Sequence, residues 1–289
     1  MGGLKIIYDG DSWVFGSEIV NPYFNNGDIG DCNAEKNDSY RIERIFPTHL
    51  SKLLNASEFV NLGWVGDDNG TILNRTINYI VCNYLSKGLA VDDLFVVIGW
   101  SSLERHYFWY KDKDESDKFR IWPQYLNDKQ LKKNAIKKKF WEIYVEYLWN
   151  PEEFIPRHIM NVLQLQNFCD NNNIKWLCFN SFYQTPGKGM NELIDLNITE
   201  ELQRLDLHGT MFQNSESYDR YYQPFEYSKI WDLINDKRYY KKDCSENSFY
   251  SFIQKNNKIN PLNGQHPSPE SHNIWAIELA RYIQENNLL

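Results

Sequence analysis

The sequence predicts an α/β protein, a three-layer α/β/α sandwich built on a doubly wound parallel sheet. Three observations predict it. Short apolar runs with β-branched residues recur at 4–8, 58–62, 94–98 and 174–179, each of strand length. The first three stop at glycine-bearing turns, and segments with helical spacing lie between them. With 289 residues, 42% of them hydrophobic and 16% aromatic, the chain can bury one large core, which excludes general disorder.

The first run breaks into Asp9-Gly10-Asp11-Ser12, a tight turn whose glycine takes conformations that other residues resist. A serine there stands at the C-terminal edge of the sheet, where open α/β folds hold ligands. The same residues also suit an ordinary turn in which Ser12 caps a helix. Residues 13–45 are polar and read as a loop bordering a cleft, followed by a short helix at 46–54 with Pro47 at its start. The second strand runs into Gly63-Trp64-Val65-Gly66-Asp67. A helix over 71–87 is carried by Leu73, Ile77, Ile80, Val81 and Tyr84 and stopped by Gly88. The third strand ends in Gly99-Trp100-Ser101-Ser102.

Residues 106–134 are aromatic and charged and read as an excursion from the core. Helices follow at 135–149 and 151–171, then the fourth strand, ending at Asn180-Ser181. Residues 182–250 have weak periodicity and read as a lid or rim. A loop at 260–267 leads to a last helix with Trp275, Leu279, Tyr282 and Ile283 on one face. The organisation predicted is a single domain, 1–289, with insertions at about 106–134 and 182–250 that wall the cleft.

The net charge of -8 argues against a nucleic-acid partner, which needs a basic footprint. The cluster Lys137-Lys138-Lys139 runs into Phe140-Trp141 and reads as the solvated start of a helix. No apolar run reaches membrane-spanning length, and residues 1–5 lead straight into the first strand without a secretion signal. The five cysteines are odd in number and widely spaced; Cys82, Cys169 and Cys178 read as small core residues in a reducing, cytoplasmic compartment. The composition suits an AT-rich genome, a viral one included. His266 and His272 lie without the ligand cluster a metal needs, so neither metal nor cofactor is expected. Asp9 and Asp11 are explained by a helix N-terminus at least as well as by paired carboxylate chemistry.

Acyl transfer needs a hydroxyl nucleophile, an imidazole to take its proton, and donors aimed at the developing oxyanion. Ser12, His266 and the turns at Gly66 and Ser101 supply those types. On these residues the chain resembles the SGNH (GDSL-type) hydrolase superfamily, from residue 4 to 286 outside the excursions. Gly10-Asp11-Ser12 looks like its first block, 61–67 its second, Gly99-Trp100-Ser101-Ser102 its third, and His266-Pro267 its fifth. The resemblance implies a flavodoxin-like sheet, Ser12 as nucleophile, His266 as general base, and an oxyanion hole from the N–H groups of Ser12 and Gly66 with Ser101.

Two positions depart from the pattern. Ser101 stands where the superfamily has asparagine, and Asn263 stands where it has the aspartate that orients the base. The departures leave three readings of the acid: a serine–histidine dyad, a carboxylate from elsewhere, or a decayed site. Trp13, Trp100 and Arg105 are candidate substrate contacts, with an ion pair to Glu104 or another acid the simpler role for Arg105. The aromatics at 107–110 and 218–227 suit a sugar- or acyl-binding cleft, although burial explains them too. The function expected is ester hydrolysis, removal of a short acyl group from a carbohydrate or other small-molecule ester. The alternatives are a non-catalytic glycan-binding protein and an O-acyltransferase.

Overall fold

A computed structural model describes residues 3–21, 35–103, 105–112, 115–121, 135–144, 151–182, 227–244, 247–256 and 266–289. The chain divides into two compact units. The first takes in Met1–Ser102, Asn161–Thr185 and Ile234–Leu289; the second takes in Leu103–Met160 and Pro186–Leu233.

The first unit holds a parallel sheet of β1 (Lys5–Gly10), β2 (Glu58–Asn61), β3 (Leu94–Trp100) and β6 (Lys175–Asn180), in the order β2-β1-β3-β6. Lys5 lies opposite both Glu58 and Leu94, and Gly10 opposite Gly99, so the strands end together on one edge. β6 extends the sheet on β3, with Trp100 opposite Asn180. The central strand β3 is buried at every residue, as expected when both faces of a parallel sheet are covered.

Alternation along the strands sorts side chains onto two faces. Ile6, Tyr8, Phe95, Val97, Leu177 and Phe179 face one core, with Phe46 and Leu50 of α3 (Phe46–Leu53), Phe249 and Ile253 of α8 (Phe249–Lys255), and Trp275 and Leu279 of α9 (Pro269–Glu285). Phe179 meets Phe46 and Trp275 edge-on at 5.7 and 5.2 Å. Burying each such side chain contributes about 1.5–3 kcal/mol of transfer free energy. On the other face, Thr76 of α4 (Asn69–Asn83) donates to Asp9 at 2.7 Å, and Trp176 Nε1 donates to Asp170 of α6 (Pro151–Asn171) at 3.0 Å. Helices on both faces make three layers, the α/β/α sandwich with the strand order of a flavodoxin-like sheet.

Several local expectations are corrected. Helix α4 begins at Asn69 because Asp68 Oδ1 accepts from Thr71 N at 2.7 Å and caps it. Its buried stripe is Ile72, Leu73, Thr76 and Ile80, while Val81 and Cys82 are exposed; Cys169 and Cys178 are buried as expected. Residues 13–45 carry short helices, α1 (Ser12–Phe15) and α2 (Asp38–Ile42), where a loop is expected. Within the stretch expected as rim, Tyr239 and Tyr240 are fully buried, and Tyr239 bridges Cys178 of β6.

In the second unit the excursion is an antiparallel hairpin of β4 (His106–Asp112) and β5 (Glu115–Ile121). Phe108 packs edge-on against His106, against Tyr144, and against Phe140 of α5 (Ala135–Ile143), at 4.5, 5.3 and 5.2 Å. The unit also holds α7 (Tyr227–Trp231). No helix among the described residues is long and apolar enough to cross a membrane.

Candidate active site

The turn after β1 is set by packing. A Cβ on Gly10 would stand 2.2 Å from Val14 Cγ2 and 2.6 Å from the Gly99 carbonyl oxygen, so only glycine lets β1 run this close to β3 and α1. Asp11, not Ser12, is the N-cap: its carboxylate accepts from Trp13 N at 2.9 Å. Ser12 therefore takes the first helical position, where the backbone N–H has no partner within the helix. It is buried at the C-terminal edge of the central strands. Helix α1 then stops at once. Gly16 is left-handed at φ 85°, and the N–H groups of Gly16 and Ser17 both donate to the Ser12 carbonyl, at 3.0 and 2.9 Å.

Glu18 follows, also left-handed, at φ 67°. For a residue with a side chain this costs about 1–2 kcal/mol, and such strain often marks functional positions. Its Oε1 lies 3.0 Å from His266 Nδ1, with the two side chains only 13% and 21% exposed. This is a contact of ion-pair length in which the Nδ1–H is not aligned as a hydrogen bond to Oε1. The ring thus presents Nδ1 to a carboxylate. No hydrogen bond joins Ser12 Oγ to that ring among the described residues.

The second and third turns are fastened to the first. Asn61 donates to the Val14 carbonyl at 2.9 Å, and Trp64 N to the Gly10 carbonyl at 3.0 Å. Gly66, left-handed at φ 77°, opens the approach to α4. Asn69 clasps Ser101 by its backbone, and Ser101 is buried at the end of β3. Beneath the Ser12 turn Asp9 is fully buried. It accepts from Thr76 Oγ1 and Gly10 N, each at 2.7 Å, and pairs with Arg75, which also pairs with Asp67 and reaches the Gly10 carbonyl at 3.2 Å. Burial pushes the Asp9 carboxyl up to about 6, against the opposing pull of Arg75. Asp9 and Asp11 are thus structural.

The remaining expected residues separate. Trp13 packs against Phe182 and Phe249 at 4.9 and 5.2 Å, and Trp100 is fully buried; both are core residues, not surface contacts. Trp64 is the exposed tryptophan of the three turns, at 57%, resting edge-on against Phe15 at 5.4 Å. Arg105 is buried in the second unit. His272 has a packing role: its Nδ1 accepts from Phe46 N at 3.2 Å and its ring stacks on Phe46. Asn263, Glu104 and residues 218–226 lie outside the described residues. Sequence reasoning did not single out Glu18, Asn61 or Asn69. Among the described residues no group of His, Cys, Asp and Glu could hold a metal ion.

Fold and turns together define an α/β/α sandwich protein with a serine at the turn after its first strand. The chain belongs to the family of unknown function DUF6071, whose profile matches residues 31–208 and so covers neither Ser12 nor His266. No curated protein matches the chain. Among solved structures it is similar to a member of the lipolytic protein G-D-S-L family from Veillonella parvula DSM 2008, at 9% identity and a TM-score of 0.40, covering 98% of this chain and 97% of that one. It is also similar to a catalytic mutant of an acetylxylan esterase from Geobacillus stearothermophilus, at 13% identity and a TM-score of 0.38, covering 98% and 94%.

Proposed function

We propose that the protein is a serine ester hydrolase with Ser12 as nucleophile and His266 as general base. The observation that carries this reading is the imidazole of His266, held with Nδ1 against a sheltered carboxylate in the unit that sets Ser12 on the sheet edge. In this mechanism His266 Nε2 takes the hydroxyl proton as Ser12 Oγ bonds to the ester carbonyl carbon. The N–H of Ser12 and that of Gly66, with Ser101, receive the charge on the carbonyl oxygen. Collapse expels the alcohol, which takes the proton from His266; water then cleaves the acyl-enzyme by the same steps in reverse order.

Short acyl esters of carbohydrates are the substrates we infer. Exposed Trp64 supports them, because a flat indole face beside the nucleophile turn suits stacking on a sugar ring. A fluorophosphonate ester should label the protein at Ser12 and not label a Ser12→Ala variant, and acetylated sugars should release acetate. Labelling with transfer of acetate to a second sugar would instead identify an O-acyltransferase. Sugar binding with neither labelling nor release would identify a glycan-binding protein, a reading favoured by the departures at Ser101 and Asn263 and by the missing Ser12–His266 hydrogen bond.

A further inference from the structure

We propose that Glu18, on the nucleophile's own turn, is the carboxylate that orients His266, so that the chain needs no acid at position 263; the inference rests on the hydrolase reading above. Among the described residues Glu18 is the carboxylate within ion-pair distance of the ring, at 3.0 Å. Its second oxygen, Oε2, is buried without a hydrogen-bond partner, so the ring is what the charge is held against. A sheltered carboxylate with no other partner is costly, and an imidazole that becomes a cation during turnover offsets that cost.

The backbone is built to deliver it. Left-handed conformations at Gly16 and Glu18 turn the chain sharply, while Ser17 N stays bonded to the Ser12 carbonyl. The flanks are pinned. Arg41 donates to the Phe15 carbonyl at 2.6 Å, Asn37 donates to the Ile19 carbonyl at 2.8 Å, and Ile19 is buried. Glu18 acts through His266 and is a positioning residue: it fixes the tautomer with hydrogen on Nδ1 and stabilises the ring when Nε2 gains the serine proton. Nucleophile and acid thus share one short segment, and only the base arrives from the far end of the chain.

The test is Glu18→Gln and Glu18→Asp, with folding checked by circular dichroism. In protein carrying 15N-labelled histidine, the Nδ1–H proton of His266 should resonate at low field, lose that shift in Glu18→Gln, and regain part of it in Glu18→Asp. If esters are turned over, Glu18→Gln should lower kcat by about three to four orders of magnitude with KM little changed, as removing a triad carboxylate does elsewhere. A resonance unchanged in folded Glu18→Gln, or a kcat within about threefold of the parent, would overturn the proposal. If the parent hydrolyses no ester yet the resonance depends on Glu18, the pairing stands and the hydrolase reading falls.

Discussion

Asn69 and Ser101 hold each other by two hydrogen bonds: Ser101 N donates to Asn69 Oδ1 at 2.7 Å, and Asn69 Nδ2 donates to the Ser101 carbonyl at 3.2 Å. One side chain at the start of α4 thereby fixes the backbone at the end of β3, tying the second turn to the third. Asn69→Ala removes both bonds and leaves buried backbone groups to find new partners. It should cost about 2–3 kcal/mol, read as a lower urea midpoint. Asn69→Asp keeps the acceptor for Ser101 N but sets an oxygen against the Ser101 carbonyl, so it should be destabilising too. A midpoint unchanged in Asn69→Ala would mean the clasp contributes nothing.

Arg75 joins Asp9 beneath the Ser12 turn to Asp67 beside Gly66. Arg75→Met leaves two buried carboxylates without their cation and should cost about 3–5 kcal/mol near neutral pH. The pH dependence has a definite sign. Burial raises the Asp9 carboxyl from 3.8 to about 6, so between those values the folded state binds the extra proton. Its contribution to stability is then full below about pH 4 and is lost as pH rises through 6. The penalty of Arg75→Met should accordingly be smaller at pH 4 than at pH 8. Equal penalties at both would show that Asp9 stays ionised throughout.

His272 should give the opposite slope. Burial, with His49 and His266 nearby, pushes its imidazole down from 6.5 to about 3, and as a neutral ring it accepts the Phe46 N–H. Between those values the unfolded chain binds the proton and the folded one does not. Stability from this group is present above about pH 6.5 and falls away as pH drops toward 3. His158 in the second unit is pushed down in the same way, so the comparison must be with a variant. His272→Gln retains an acceptor and does not titrate; its stability should decline less than the parent's between pH 7 and pH 4. Parallel declines would refute the assignment, while an ester hydrolase should keep its activity in this variant.

The sequence by itself determined the sheet. Buried parallel strands need apolar side chains on both faces, so residues 4–8, 94–98 and 174–179 stand out as runs, and glycine-bearing turns mark where the first two stop. Parallel pairing then puts all those turns on one edge, which made Ser12, Gly66 and Ser101 legible as one locality before any coordinates. The hairpin at 106–121 was not legible. Its residues 111–118 are charged, with neither glycine nor proline to mark a turn, and its pairing depends on packing around Phe108. Nor were Trp13, Trp64 and Trp100 separable, since each stands at or just past a strand end and only the surrounding packing decides which one meets solvent.

Tertiary structure alone decided which carboxylate lies beside His266. A carboxylate near a histidine in sequence leaves a motif, and the sequence therefore directs attention to Asn263, three residues before His266. A carboxylate brought from the other end of the chain leaves none: Glu18 sits in Gly16-Ser17-Glu18-Ile19, which reads as an unremarked polar turn. What selects it is two left-handed residues, the Ser12 carbonyl that gathers the turn, and the burial that makes a lone carboxylate and a lone imidazole each other's least costly neighbour. Those are properties of folded geometry and desolvation, and neither has a spacing in the chain.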